Sequence, residues 1–395
     1  MGSEVTSPSF KPRLLLWACK WLVISAVVGL LAGSASAVFL VCLDGVTRFR
    51  GGHLWIVALL PAAGFVIGWA YHHLGKDSHR GTQLILDEIH DPKAVLPLRM
   101  GPLVLGGTLI THLFGGSAGR EGTAVQIGAS IADQFARPFK LDLEDRRTLL
   151  MSGMSAGFGS VFGTPLAGAV FGLEVLRTGR LRFRSALPCL AASILADGVA
   201  RAWGIHHAAY SVGSVPGFSW LVLLSVIGAG TVFGLTGRLF AASVHYLQKL
   251  FAATVAYPPL RPMIGGALVA AAVWISGTDR FIGLGLPVIS EAFTAKLAPS
   301  DFFQKLVYTA VTLGSGLKGG EVTPLFFIGS TLGNALSSFL ALPMPLLAGL
   351  GFTAVFAGAA NVPLACTVMA IEIFGPQISV YALIACGMSV IFSRR

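Results

Sequence analysis

Gly116-Ser117-Ala118-Gly119-Arg120-Glu121-Gly122-Thr123 interrupts two long apolar stretches with a glycine turn and a charged pair. An ionisable side chain at membrane depth costs about 2.5–3.5 kcal/mol on insertion scales, so it marks a substrate or proton path. Glycines ahead of an apolar helix leave its first N–H groups without intrahelical partners, and those groups attract an anion. Glu121 stands where such an anion would bind. A carboxylate that occupies or vacates an anion site is a gate.

A second copy of this pattern lies about 200 residues on. Gly119-Arg120-Glu121-Gly122-Thr123, followed by Ile127-Gly128, matches Gly319-Gly320-Glu321-Val322-Thr323, followed by Ile328-Gly329. Thr164-Pro165-Leu166-Ala167 with Val170 and Glu174 matches Val362-Pro363-Leu364-Ala365 with Val368 and Glu372. Two matches at nearly one offset indicate duplication. The expected organisation is a single transmembrane domain over residues 1–395, with halves at about 14–205 and 215–395. Duplicated halves with glycine- and proline-interrupted apolar segments point to a transporter whose site lies between them. The broken helices are expected to end near the midplane, with their free N–H groups facing a cavity rather than lipid.

Composition agrees. Of 395 residues, 54% are hydrophobic and 12% charged, against about 25% charged in soluble domains. Apolar runs cover 14–43, 54–71, 102–115, 149–176, 185–199, 218–235, 263–276, 324–342 and 346–373. Several exceed the roughly 20 residues that span a bilayer. The expectation is an all-α, polytopic membrane protein with two inverted-topology repeats, multi-pass in the cell membrane. The formal net charge of +10 does not indicate nucleic acid. Many basic residues flank apolar runs, as at Lys11, Arg13 and Lys20, at Arg177, Arg180, Arg182 and Arg184, and at Arg394 and Arg395. That is the pattern of cytoplasmic helix flanks, and no basic stripe with interleaved aromatics is present.

The five cysteines lie in apolar runs without a C-x-x-C pair, and the nine histidines form no H-E-x-x-H. Neither a disulfide framework, a metal site nor a cofactor is expected. His112 is the one candidate base near Glu121, which leaves a membrane hydrolase without a nucleophile–base pair; no enzymatic activity is expected. Met1-Gly2 with Thr6 fits a myristoylation pattern, and Ala35-Ser36-Ala37 resembles a signal-cleavage triplet. Because the apolar run continues to Leu43, the triplet reads as part of one retained membrane helix.

The motifs resemble those of the CLC family of anion channels and anion/proton antiporters. Gly119-Arg120-Glu121-Gly122 with Gln126-Ile127-Gly128 is similar to the family's G-[KR]-E-G signature, and Gly314-Ser315-Gly316 with Gly319-Gly320 to its second-half glycine motif. The resemblance implies a homodimer with a separate pore in each subunit and Glu121 as the gating glutamate. Within the family, the chain resembles the fluoride/proton antiporter branch. Thr123 replaces the usual proline, and Gly320-Glu321-Val322-Thr323-Pro324 carries an acid and a hydroxyl where chloride transporters have apolar residues. Val175 stands where chloride/proton exchangers place a relay glutamate. Thr82, in Gly81-Thr82-Gln83-Leu84-Ile85, matches the family's anion-binding serine but departs from the methionine common in the fluoride branch. The family's central tyrosine follows the last membrane helix; the given chain ends at Ser393-Arg394-Arg395, and Tyr381 is too early to be that residue.

Fluoride is small and strongly hydrated, so its dehydration requires several donors. The expected anion ligands are the N–H groups near Gly122 and Val322 and the hydroxyls of Thr82 and Thr323. Glu121 carries gating and proton coupling. Glu321 is either a coupling residue or a cap of its helix start. Glu174 and Glu372 are expected to make structural contacts, and the Asp87, Glu88, His90, Asp91 cluster, which ends at Pro92, to be a solvated loop edge or else to line the intracellular entrance. The partners expected are a small anion, protons and the lipid bilayer. A chloride channel or chloride/proton exchanger is the alternative.

Overall fold

A computed structural model describes residues 10–176 and 183–394. The myristoylation pattern, Arg177, Arg180, Arg182 and Arg395 lie outside the described residues. Among the described residues the regular structure is helical throughout. The first eight helices are α1 (Phe10–Gly52), α2 (Leu60–Leu74), α3 (Thr82–His90), α4 (Met100–Leu113), α5 (Glu121–Asp133), α6 (Leu143–Phe162), α7 (Pro165–Glu174) and α8 (Ala186–Ala202). The next eight are α9 (Trp220–Thr254), α10 (Leu260–Ser276), α11 (Leu286–Glu291), α12 (Asp301–Ser315), α13 (Val322–Leu336), α14 (Met344–Ala360), α15 (Pro363–Phe374) and α16 (Ser379–Ser393).

Five helical stretches among the described residues are long and apolar enough to cross a membrane: Leu14–Gly52, Leu54–Leu74, Phe183–Ala202, Trp220–Thr254 and Pro376–Ser393. Ala35-Ser36-Ala37 falls inside α1, as its apolar continuation requires. Several other helices are too short to span. The 13 residues of α5 reach only about 20 Å, against a hydrocarbon core of about 30 Å.

Two apolar runs that read as continuous are each two helices. The run 149–176 breaks between α6 and α7, where Gly163 turns left-handed at φ +72°; the run 346–373 breaks between α14 and α15, where Asn361 does so at φ +59°. A proline then occupies the first turn of each new helix, at Pro165 and Pro363. Proline there lacks an N–H that would have had no intrahelical partner and clashes with any continuation of the preceding helix.

The two series of eight correspond element by element. α5 packs on α6 as α13 packs on α14, and α1 packs on α8 as α9 packs on α16. The α5–α6 crossing is at Gly128 and Gly153, the α13–α14 crossing at Gly329 and Gly351, where an added methyl group would overlap the facing backbone. Contacts between the series run through α2 with α10 and α7 with α15. At their centre Gly119 and Gly320 form an antiparallel bridge, with N–H to carbonyl distances of 2.6 and 2.7 Å. Equivalent segments running antiparallel are what inverted repeats produce. One apolar core extends through both halves, including Phe158, Phe233, Phe326 and Phe356.

The polar cluster at 87–91 is a solvated edge only in part: His90 and Asp91 are exposed, but Glu88 is not. Its first three members lie on α3, and Glu88 is buried, accepting from the backbone N–H groups of Lys93 and Ala94 and pairing with Arg146 at 3.1 Å. Arg146 also grips buried Asp133 at the end of α5 at 2.7 Å. Glu88 is buried beside a cation because α6 brings Arg146 to it, a long-range fact absent from the local sequence.

Candidate anion and proton site

The Gly119–Gly320 bridge places the starts of α5 and α13 against each other. Glycine is required at both residues by close approach. A Cβ on Gly320 would lie 2.9 Å from the Gly122 nitrogen, and one on Gly119 would lie 2.9 Å from Pro324 Cδ and 3.1 Å from the Gly320 carbonyl oxygen.

Glu121 is 1% exposed, yet it is in α5's first turn, where the helix dipole favours a carboxylate. Its Oε2 accepts from the N–H groups of Arg120 at 3.0 Å and Thr323 at 3.1 Å. Its Oε1 accepts from the Thr323 hydroxyl and lies 3.7 Å from Arg120 Nε. The first-half carboxylate therefore occupies donors supplied by the second-half helix start. Donors arranged for one small anionic group serve an anion of similar size when the carboxylate leaves.

Beside this contact lies a cavity of about 1130 Å³. Glu121, Gly122, Thr82, Glu321 and Val322 all border it, whereas Thr323 does not. Thr323 is buried and held by the Glu121 carboxylate. Thr82 is tied to α5 through Gln126, whose Nε2 donates to its hydroxyl at 3.4 Å. Val175 also borders the cavity, presenting an apolar surface to it. The Thr123 hydroxyl turns away to Thr108 on α4, 2.7 Å distant, and serves packing.

Glu321 precedes α13 and makes no capping hydrogen bond to it. Its place is on the cavity wall. His112 is fully buried, with ring nitrogens 2.9 and 3.0 Å from the carbonyl oxygens of Thr108 and Ala118. It thereby braces the loop leading into Glu121. Tyr381 donates to the Pro216 carbonyl on another face.

Glu174 and Glu372 form a reciprocal pair. The Glu174 carboxylate accepts from the N–H groups of Leu364 and Ala365 at 2.9 and 2.7 Å; that of Glu372 accepts from Leu166 and Ala167 at the same distances. Each glutamate caps the broken helix of the opposite half. These are structural contacts.

The sequence motifs do not convey the charge of the cavity. Lys76, Arg80, Arg261 and Lys318 line it, along with His72, His79 and His245, while the acids lining it among the described residues are Glu121 and Glu321. A cleft of one sign with low-dielectric walls concentrates anions. A signal is present at Lys318, a lysine between Gly316 and Gly319 in an otherwise apolar stretch, and the reasoning that singles out Glu121 applies to it equally.

Residues 63–394 match the family model described as voltage gated chloride channel. The chain belongs to the CLC family. It is 55% identical over 386 residues to a "Chloride/fluoride channel protein" of Pseudomonas syringae pv. tomato, covering 96% of this chain and 85% of that protein. It is similar to the crystal structure of a CLC-type fluoride/proton antiporter, with a TM-score of 0.92 and 33% identity over 98% of this chain and 97% of that one. A slow cyanobacterial chloride/proton antiporter shares the fold, at a TM-score of 0.82 and 21% identity, with 95% and 94% of the two chains covered. As a CLC protein, the chain is a membrane protein of a family that transports anions and protons.

Proposed function

We propose that this CLC protein exchanges fluoride for protons across a membrane, with Glu121 as the gate and proton carrier. The observation that carries the reading is the bonding of Glu121 to both donors of Thr323, the backbone N–H and the hydroxyl. In the deprotonated state the carboxylate satisfies those donors and excludes the anion. Protonation removes its charge and weakens its hold on them. Fluoride then takes over the Thr323 hydroxyl and the N–H groups near Gly122 and Val322, and Glu121 carries its proton toward the cavity. Glu321, on the cavity wall, is the candidate acceptor there. Val175 offers no group for a separate relay, so the proton and the anion share one path.

Thr82 supplies one further hydroxyl to the same space. The halves proposed at about 14–205 and 215–395 each contribute one helix start. Every group invoked comes from one chain, so each subunit of a homodimer would carry its own path. The names of the Pseudomonas relative and of the similar antiporter support fluoride as substrate.

The second reading is a chloride channel or chloride/proton exchanger. It is favoured by the Thr82 hydroxyl at the serine position and by 28% identity to the "H(+)/Cl(-) exchange transporter ClcA" of Cronobacter sakazakii. Efflux of fluoride and of chloride from liposomes at matched gradients, with proton uptake followed in parallel, separates the two. Fluoride efflux exceeding chloride efflux by roughly tenfold or more, about 1.4 kcal/mol of discrimination, is the expected result. Equal rates would leave only the family-level function.

A further inference from the structure

We propose that Lys318 and Tyr71 form a docking site for a small inorganic anion, from which the ion passes to the donors around Glu121. The inference rests on the anion-transport reading above and adds a site to it.

Lys318 lies in the turn between α12 and α13, three residues before Glu321. Its backbone N–H donates to the Thr111 hydroxyl at 3.2 Å, fixing the turn against α4. Its side-chain stem runs through a slot on α4 at Gly107. A Cβ on Gly107 would sit 3.1 Å from both Cβ and Cγ of Lys318 and 3.4 Å from Tyr71 Cε2. The slot therefore seats the lysine stem and the tyrosine ring side by side. The ammonium nitrogen comes to rest 4.1 Å from the centroid of the Tyr71 ring.

This arrangement holds a cation while leaving its donors available. An aromatic face attracts an ammonium group electrostatically but cannot neutralise it. Among the described residues Lys318 forms no ion pair, whereas Arg80 is paired with Asp87 and Arg261 donates to the Val255 carbonyl at 2.9 Å. Lys318 and Tyr71 both border the cavity, and Lys318 is four residues from Val322, whose N–H is a proposed anion ligand. An ammonium is a compact charge with three donors and no fixed fork, which suits a monovalent halide more than a planar oxyanion. An ammonium group with no ion pair among the described residues, bordering the basic cavity that Glu121 also borders, attracts an entering anion.

The test is the dependence of transport rate on anion concentration on the cavity side of proteoliposomes, for fluoride and for chloride. Lys318→Met should raise the half-saturating concentration roughly tenfold, equivalent to about 1.4 kcal/mol. Lys318→Arg should recover most of that loss. Tyr71→Phe keeps the aromatic face and should stay near wild type, while Tyr71→Leu should shift half-saturation in the same direction as Lys318→Met by a smaller factor. In a Cys19→Ser, Cys42→Ser background, which removes the two exposed thiols, Lys318→Cys should regain affinity on reaction with an aminoethyl methanethiosulfonate and not with a neutral analogue. A Lys318→Met protein with wild-type half-saturation overturns the proposal, as does one that loses only maximal rate, since that marks a packing role. Should Lys318→Met fail to fold, wild-type half-saturation in Tyr71→Leu overturns it instead. Wild-type protein that moves neither anion removes the transport reading itself.

Discussion

Two pairs of glutamates are related by the same internal duplication, and they behave oppositely. Glu174 and Glu372 keep the symmetry: each accepts two backbone N–H groups from the other half, at matching distances of 2.9 and 2.7 Å. Glu121 and Glu321 break it. Glu121 is buried and bonded across the interface to Thr323, whereas Glu321 is exposed on the cavity wall. A symmetric pair of caps holds two halves together and has no direction. Transport needs a side chain that differs in its two positions, and that is available only where the symmetry fails.

Glu121→Gln puts this contrast to its hardest test. Proton uptake driven by a fluoride gradient should fall to background, while Glu321→Gln should lower the number of protons moved per fluoride without abolishing their movement. Full coupling in Glu121→Gln would mean that the asymmetric pair is not the carrier. A smaller effect is expected at the partner of the gate. Thr323→Ala removes one hydroxyl donor to a charged group, worth about 1.5–3 kcal/mol, and should lower fluoride flux by roughly tenfold but chloride flux less. Equal losses for both anions would remove Thr323 as a selectivity element. The smallest expected change in transport is at the symmetric pair. Glu174→Gln and Glu372→Gln should each cost about 1–3 kcal/mol of stability, by similar amounts, read as matched falls in thermal midpoint in detergent. A mutant that keeps its midpoint but loses coupling would show that the caps also take part in transport.

Much of the site is legible in the order of the residues. Offsets of 200 and 198 residues align Glu121 with Glu321 and Pro165 with Pro363, so duplication follows from the residues alone, and an acid at a glycine turn singles out Glu121 as the candidate gate. What is not legible depends on which distant groups meet. Residues 149–176 and 346–373 read as unbroken apolar runs because hydrophobicity does not report a left-handed turn at Gly163 or Asn361. Glu88 reads as solvated because its partner Arg146 is 58 positions away. Lys318 carries its own signal, an ionisable residue in an apolar stretch, but its aromatic partner Tyr71 is 247 residues earlier in the chain.

Membrane class and the duplicated pattern are legible in the order of the amino acids, because they rest on composition and spacing along the chain, and the motifs around Glu121 carry the CLC resemblance and mark it as the candidate gate. Folding alone decides that Glu121 bonds Thr323 of the other half as well as the neighbouring Arg120 N–H, that Glu174 and Glu372 exchange caps, and that Lys318 faces the cavity over Tyr71. The cause is that backbone donors at a helix start are chemically alike wherever they occur. Which carboxylate, anion or ring they meet is set by the packing of one half against the other, and in that interface a shift of a single residue would give every donor a different partner.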